Sequence, residues 1–316
     1  MATKQSHQLR FRLLVPIALS AALGVSGCSG GDDDVAVEEP ADPQEVVTIG
    51  GSMPSPGLIS DVDPTQVSGA EVDVATNVTE RMTTTPPDAQ LHWVPTTADS
   101  VADDITSGEL DLALGQFSGD EVSDEIAWVG PYATVEAAVL VHQPLPEDTE
   151  EPADVLVPDS LESLEDFADA SVCVVTGSIA AGTELPVDDS TVEPTVSECE
   201  IGMRSGRYDA VAADDLQLAG LLTEPAMAGR YELLLWSDLA DDEEDIDVDE
   251  ELLETAQYWI AVHSTYCADA AAALKAAVDE GSVEEAFASL EQVEGWEPQQ
   301  PVAPGDITAK HCDSEA

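Results

Sequence analysis

Two stretches of this 316-residue chain, about a hundred residues apart, follow one plan. Ile105-Thr-Ser-Gly108-Glu-Leu-Asp111-Leu-Ala-Leu114 and Met203-Arg-Ser-Gly206-Arg-Tyr-Asp209-Ala-Val-Ala212 have the same layout. Each reads as the end of a helix stopped by a left-handed glycine, a two-residue link and a buried strand. A helix-to-strand unit used twice predicts two α/β lobes of similar build. Length agrees, since a chain of this size is a prior for about two domains. Apolar residues make up 43% of the sequence, enough to bury a core in spite of the acidity.

Other elements fit that frame. Val46-Val47-Thr48-Ile49 starts the folded part as a short buried strand, and Val139-Leu140-Val141-His142 is a strand leaving the first lobe. Leu161 to Phe167 reads as a helix opening the second lobe. Ser171 to Thr176 reads as a strand running into Gly177-Ser178, where a helix N-terminus follows. Tyr258 to Val262 is another buried strand, with helices over Ala268–Ala277 and Ser282–Leu290. Residues 144–159 are Pro- and acid-rich and predict a loop. Residues 241–251 hold nine acids in eleven positions and predict a solvated excursion. Asp245, Asp247 and Asp249 there mimic the opening of a calcium loop but lack its glycine at the sixth position.

Charge excludes whole classes of partner. The chain carries 66 Asp and Glu against 9 Lys and Arg, a formal charge of −57. Nucleic acid is repelled, because binding it depends on bases that neutralise phosphates. Attachment to anionic lipid through basic residues fails for the same reason. The surface suits high salt, where screening shortens self-repulsion.

Lys4, Arg10 and Arg12 precede an apolar run from Leu13 to Val25. Thirteen residues rise only about 20 Å as a helix, short of a hydrocarbon core about 30 Å thick. The arrangement predicts a secretory leader over residues 1–27. Its end, Val25-Ser26-Gly27-Cys28, resembles the bacterial lipobox, which implies lipidation at Cys28 and anchoring on the outer face of the membrane. Residues 28–45, acidic and rich in Pro and Gly, form the tether.

Four cysteines remain: Cys173, Cys199, Cys267 and Cys312. In an exported chain they predict two disulfides with three possible pairings, of which the sequential one has the shortest loops. No Cys-x-x-Cys spacing is present and only His311, beside Cys312, lies at zinc-finger distance, so metal is the weaker reading. There is no nucleophile elbow, no His-Glu-x-x-His and no phosphate-binding Gly-rich loop. The expectation is a non-enzyme without cofactor or metal. Paired carboxylates have no diagnostic power among 66 acids.

Taken together, the pattern from residue 46 to 312 resembles the family of extracytoplasmic substrate-binding proteins for polar amino acids that serve ABC importers. The resemblance rests on Ser107 to Leu114, Trp128-Val-Gly-Pro131-Tyr132, and Leu161 to Leu164 with Val172 to Val175 and Gly177-Ser178. Its strongest element is Gly206-Arg-Tyr-Asp209-Ala-Val-Ala-Ala-Asp214-Asp215. Cys173, Cys199 and Cys312 look like a glutamate-binding actinobacterial branch, which supports the pairs Cys173–Cys199 and Cys267–Cys312. The resemblance implies an α/β, two-lobed periplasmic-binding-protein fold with a ligand cleft between the lobes. Lobe 1 spans residues 46–142, lobe 2 residues 143–257, and residues 258–316 return to lobe 1.

It further implies a small polar solute as ligand and importer membrane subunits as partners. Asp214 supplies the counter-charge to an ammonium. That reading competes with Asp214 as the N-cap of the helix from Leu216, and is favoured because Asp215 is available for the cap. Ser118 is the first-lobe hydroxyl, and the amides near Gly177 and Ser178 face a carboxylate. The family's Arg after that hydroxyl is replaced here by Val122 or Ser123, and its cleft aromatics by Pro56-Gly57-Leu58 and Ala98. Arg81, the nearest upstream base, sits on a helix. A receptor-fold interaction module with an eroded cleft is the alternative function. His142 and His263, at the ends of crossing strands, are read as independent surface histidines rather than a hinge pair.

Overall fold

The computed structural model describes residues 46–60, 66–115, 117, 125–143, 161–227, 229–241, 248–294, 296 and 302–312. Cys28, Ser118, Val122, Ser123, Asp245 and Asp247 lie outside these residues.

The first lobe begins with β1 (Val46–Gly51), α1 (Ala70–Arg81), β2 (Gln90–Pro95), α2 (Val101–Ser107), β3 (Leu112–Leu114) and β4 (Ile126–Val135). The second contains β5 (Ala137–His142), α3 (Leu164–Phe167), β6 (Ser171–Val175), α4 (Ile179–Gly182) and β7 (Asp189–Glu193). It continues through α5 (Val196–Arg204), β8 (Ala210–Asp214), α6 (Asp215–Leu222), β9 (Tyr231–Leu235) and α7 (Trp236–Asp241). The chain then returns through β10 (Ala256–His263), α8 (Cys267–Asp279), α9 (Ser282–Phe287) and β11 (Thr308–Lys310).

Two sheets result, ordered β11-β4-β10-β3-β1-β2 and β7-β6-β8-β5-β9. In each, a central strand is flanked by two parallel partners and the third of these meets an antiparallel strand: β2-β1-β3-β10 and β7-β6-β8-β5. The repeat seen in the sequence therefore extends to topology. Its glycines do what the pattern requires, since Gly108 and Gly206 take φ of 73° and 72°, which a side chain resists. The repeated aspartates are matched too. Asp111 accepts the Thr48 N–H at 2.8 Å and donates its own N–H to Thr48 at 2.9 Å. Asp209 does the same with Ser171, both at 2.8 Å. Each aspartate closes the open end of a parallel pair and so pins its register.

One expected boundary moves. The strand β5 lies in the second sheet, so the chain leaves the first lobe at Glu136 and not at residue 142. The apolar run from Ile126 to Val141 is broken in character only by Gly130, Pro131, Thr134 and Glu136, and alternation cannot reveal which sheet a doubly buried strand joins. The crossing back occurs next door, where Ala256 pairs with Val135. His142 packs on Tyr231 and His263 sits beside Ile126 at the far end of β10, so the two histidines are well apart.

Sulfur bridges join Cys173 to Cys199 and Cys267 to Cys312, with Cα separations of 5.5 and 5.4 Å. The first ties β6 to α5; the second ties the start of α8 to the segment after β11. Opening either one, by Cys173→Ala with Cys199→Ala or by Cys267→Ala with Cys312→Ala, is expected to cost about 3–4 kcal/mol through the unfolded chain. Urea titration of each pair variant checks this, and a loss below 1 kcal/mol contradicts it. Among the described residues no helix is long and apolar enough to cross a membrane.

Candidate functional site

Loops at the carboxyl ends of parallel strands from both sheets converge on one cleft of about 350 Å³. Ser52–Ser55 follow β1, Thr96–Ser100 follow β2, Thr176–Gly177 follow β6 and Pro194–Val196 follow β7. Such crevices are where open α/β sheets hold ligands, because strand ends and loop amides face them without a helix in the way. The lobes touch beside this cleft. Gly57 packs against the backbone of Gly220 in α6, and a methyl on Gly220 would lie 2.4 Å from the Pro56 carbonyl oxygen. Glycine at 220 is what lets the two lobes approach this closely.

Gly177 lines the cleft, but Ser178 and Asp214 stand behind it. The Ser178 hydroxyl donates to the Val175 carbonyl at 2.7 Å, and its N–H donates to the same residue at 3.2 Å. One Asp214 oxygen accepts the Ile179 N–H at 2.9 Å, and the other accepts the Tyr258 hydroxyl at 2.6 Å. The structure thus brings Gly177, Ser178 and Asp214 together around the start of α4. The Ser178 and Ile179 amides, expected near a ligand carboxylate, are used inside the protein. Ala98 does line the cleft, where the resemblance implies an aromatic ring. Arg81 is far from it, paired with Glu280 at 2.6 Å.

Asp214 also belongs to a buried polar array that takes in Glu71, a residue the sequence did not single out. Tyr132 on β4 donates to Glu71 of α1 at 2.5 Å and accepts the Gly115 N–H at 3.0 Å. Its ring meets Tyr258 of β10 edge-on at 6.1 Å, and Tyr258 reaches Asp214. Residues from both lobes and both crossing strands therefore share one network. Burial raises the Glu71 carboxyl to about 7, only partly offset by the Tyr132 hydrogen bond. The two tyrosine hydroxyls are pushed well up, first by burial and then by the neighbouring carboxylates.

Asp215 belongs to the hinge and is not the spare helix cap expected of it. The residue preceding α6 is Asp214, which makes no side-chain cap bond, while Asp215 is the first helical residue. Asp215 accepts N–H bonds from Leu216 at 2.8 Å and Glu136 at 3.1 Å, and from the Trp296 indole at 3.0 Å. Its own N–H donates to Glu136 at 2.9 Å. Burial raises its carboxyl to about 7, against the lowering effect of these donors. No pattern around Glu71 or Asp215 separates them from the other acids; the burial that distinguishes them comes from tertiary packing.

Part of the acidic excursion is described. Asp249 accepts the N–H groups of Glu251 and Glu184 at 3.0 and 3.3 Å, so it caps a turn and holds a loop of the second lobe. Among the described residues no group of three His, Cys, Asp or Glu side chains converges as a metal requires.

No protein-family model matches the sequence, and no curated protein matches it significantly. Solved structures do resemble the fold. An amino-acid ABC transporter substrate-binding protein of Streptococcus pneumoniae bound to L-arginine superposes with a TM-score of 0.56 at 18% identity, over 78% of this chain and 93% of that one. A solute receptor for L-cysteine of Neisseria gonorrhoeae gives 0.55 at 17% identity, over 83% and 95%. An ancestral amino-acid-binding protein described as a precursor of cyclohexadienyl dehydratase gives 0.52 at 16%, over 78% and 94%. At these identities the likeness concerns architecture alone: the chain has the two-lobed α/β fold of periplasmic binding proteins, with a cleft between its lobes.

Proposed function

We propose that the protein is the solute-binding receptor of an ABC importer, held on the outer face of the membrane by lipid at Cys28 and taking a small polar solute into the interlobe cleft. The observation that carries this reading is the convergence of four strand-end loops, two from each sheet, on a cavity of about 350 Å³. That size sits at the low end of small-molecule sites, roughly 300–1,000 Å³. Two adjacent strand passages at Glu136 and Ala256 connect the lobes, as a cleft that opens and shuts around a solute requires. The S. pneumoniae and N. gonorrhoeae proteins are amino-acid receptors by description, which lends support. The dehydratase precursor is a reminder that this architecture does not by itself separate binding from catalysis.

In this reading Asp214 is the counter-charge for an ammonium group, held in place by Tyr258 and the Ile179 amide, while Gly177 and Ser178 shape the second-lobe wall and Ser118 contributes a first-lobe hydroxyl. A thermal-shift screen at high salt with amino acids, amines and polyols tests it. A ligand at a hundred times its dissociation constant adds about 2.7 kcal/mol to stability. At least one compound should shift the melting temperature, whereas a flat response throughout favours a surface module without a solute. Anchoring has its own test. Mass spectrometry of the mature protein should find a diacylglyceryl group on Cys28; a free thiol at that residue contradicts the anchor.

A further inference from the structure

Resting on the receptor reading, we infer that the cleft selects a carboxylate-free organic cation, an aliphatic amine or guanidine, over an amino acid. The first support is the placement of every base. After Arg12 the chain has six Lys and Arg. Arg81, Arg204 and Arg207 pair with Glu280, Glu200 and Glu193, and Lys310 lies 4.2 Å from the Trp259 ring centroid. Arg230 precedes β9 and Lys275 is on α8, and none of the six lines the cleft. No histidine lines it either. Every segment beyond residue 45 that lies outside the described residues is free of Lys, Arg and His in sequence, so no neighbouring loop can supply one. A carboxylate entering the cleft would lose its hydration without gaining a cationic partner.

The second support is the direction of the hydroxyl protons. Thr176 donates to the Glu193 carbonyl at 3.0 Å, and Thr96 donates to Asp104 at 2.8 Å. Since the single proton of Thr96 is used there, the 3.0 Å contact with Ser100 is a donation from Ser100. Thr176 and Thr96 thus keep no proton for a ligand, and Ser100, whose proton goes to Thr96, accepts the Thr97 N–H and hydroxyl at 3.2 and 3.3 Å. Ammonium and guanidinium groups, which only donate, match such a wall; a carboxylate, which only accepts, does not. Ser55, a lining residue 3% exposed, has a buried hydroxyl with no partner. It can donate as well as accept, so it marks the cleft as a polar site without choosing between cation and anion. Asp99, exposed at the rim, is the charged residue of the lining, and the strongly negative chain concentrates cations at the mouth.

Calorimetry with matched pairs tests the inference: L-arginine against agmatine, L-lysine against 1,5-diaminopentane, and erythritol as a neutral donor-rich solute. Within each pair the cationic groups are shared and only the carboxylate-bearing end differs. Agmatine or diaminopentane should bind at least tenfold more tightly than its amino acid, and Asp99→Asn should weaken that binding about tenfold. Arginine or lysine binding as tightly as the amines overturns the inference and leaves the receptor reading standing. So does heat with erythritol alone. Silence from all five, with a flat thermal-shift screen, overturns the receptor reading and this inference with it. An amine affinity unchanged by Asp99→Asn removes the part given to Asp99.

Discussion

Lowering the pH from 8 to 5 is expected to stabilise the protein by several kcal/mol, the reverse of ordinary acid denaturation. Glu71 and Asp215 are buried carboxyls whose folded values are raised to about 7 from 4.5 and 3.8. Between the unfolded and folded values the native state binds more protons than the unfolded chain, so stability falls as pH rises through that window. The contribution is complete below about 4 and lost above about 7. Over the interval from 8 to 5 each group supplies about 2–3 kcal/mol. His142 opposes the trend, because burial lowers its value and the unfolded chain takes up a proton first. Urea titrations at fixed high salt measure the balance. Glu71→Gln should remove about half of the slope, and Glu71→Gln with Asp215→Asn most of it. A protein less stable at pH 5 than at pH 8 would show that these two carboxyls are not held in the interior as described.

Asp214→Ala should do the greatest damage to both stability and binding. The substitution leaves the Tyr258 hydroxyl and the Ile179 N–H buried without an acceptor. Each orphaned donor costs about 1–3 kcal/mol, so a loss of about 2–6 kcal/mol is expected. The turn at Gly177, held from behind by that Ile179 bond, loses its support, and the cleft wall it forms is disturbed. Ligand affinity should fall at least a hundredfold. Asp214→Asn keeps the volume and one acceptor and should retain more stability than the alanine variant while still losing affinity. A fully stable Asp214→Ala protein with unchanged ligand affinity would remove Asp214 from both roles.

What the sequence made legible was periodic or covalent. Gly108 and Gly206 announced left-handed turns because few other residues tolerate them, and the spacing to Asp111 and Asp209 exposed the repeat. Strands such as β6 and β8 were visible as short apolar runs. Other elements carried no such signal. The edge strand β7 is Asp-Ser-Thr-Val-Glu, polar because it is largely exposed, and its acids disguise it as loop. Only the last turn of the helix expected over Leu161–Phe167 forms, since Ser163 and Asp166 make a capping box that starts it at Leu164. The site was harder. Gly177 and Ala98, associated with a cleft by resemblance, line the cavity. The inward commitment of Ser178 and Asp214 depends on which neighbours the fold brings to them, and the Glu71–Tyr132 pair joins residues 61 positions apart.

The chain also enters and leaves through one lobe. The first sheet holds β1 and β11, the outermost strands in sequence, whereas the second is built wholly from residues between Glu136 and Ala256. A pull on the chain ends is therefore borne by the first sheet, and the second lobe carries no load until β1 or β11 has been stripped away. The Cys267–Cys312 bridge shortens what the far end can release, because it closes a loop containing α8, α9 and β11. Under tension the first sheet should yield before the second lobe feels the force.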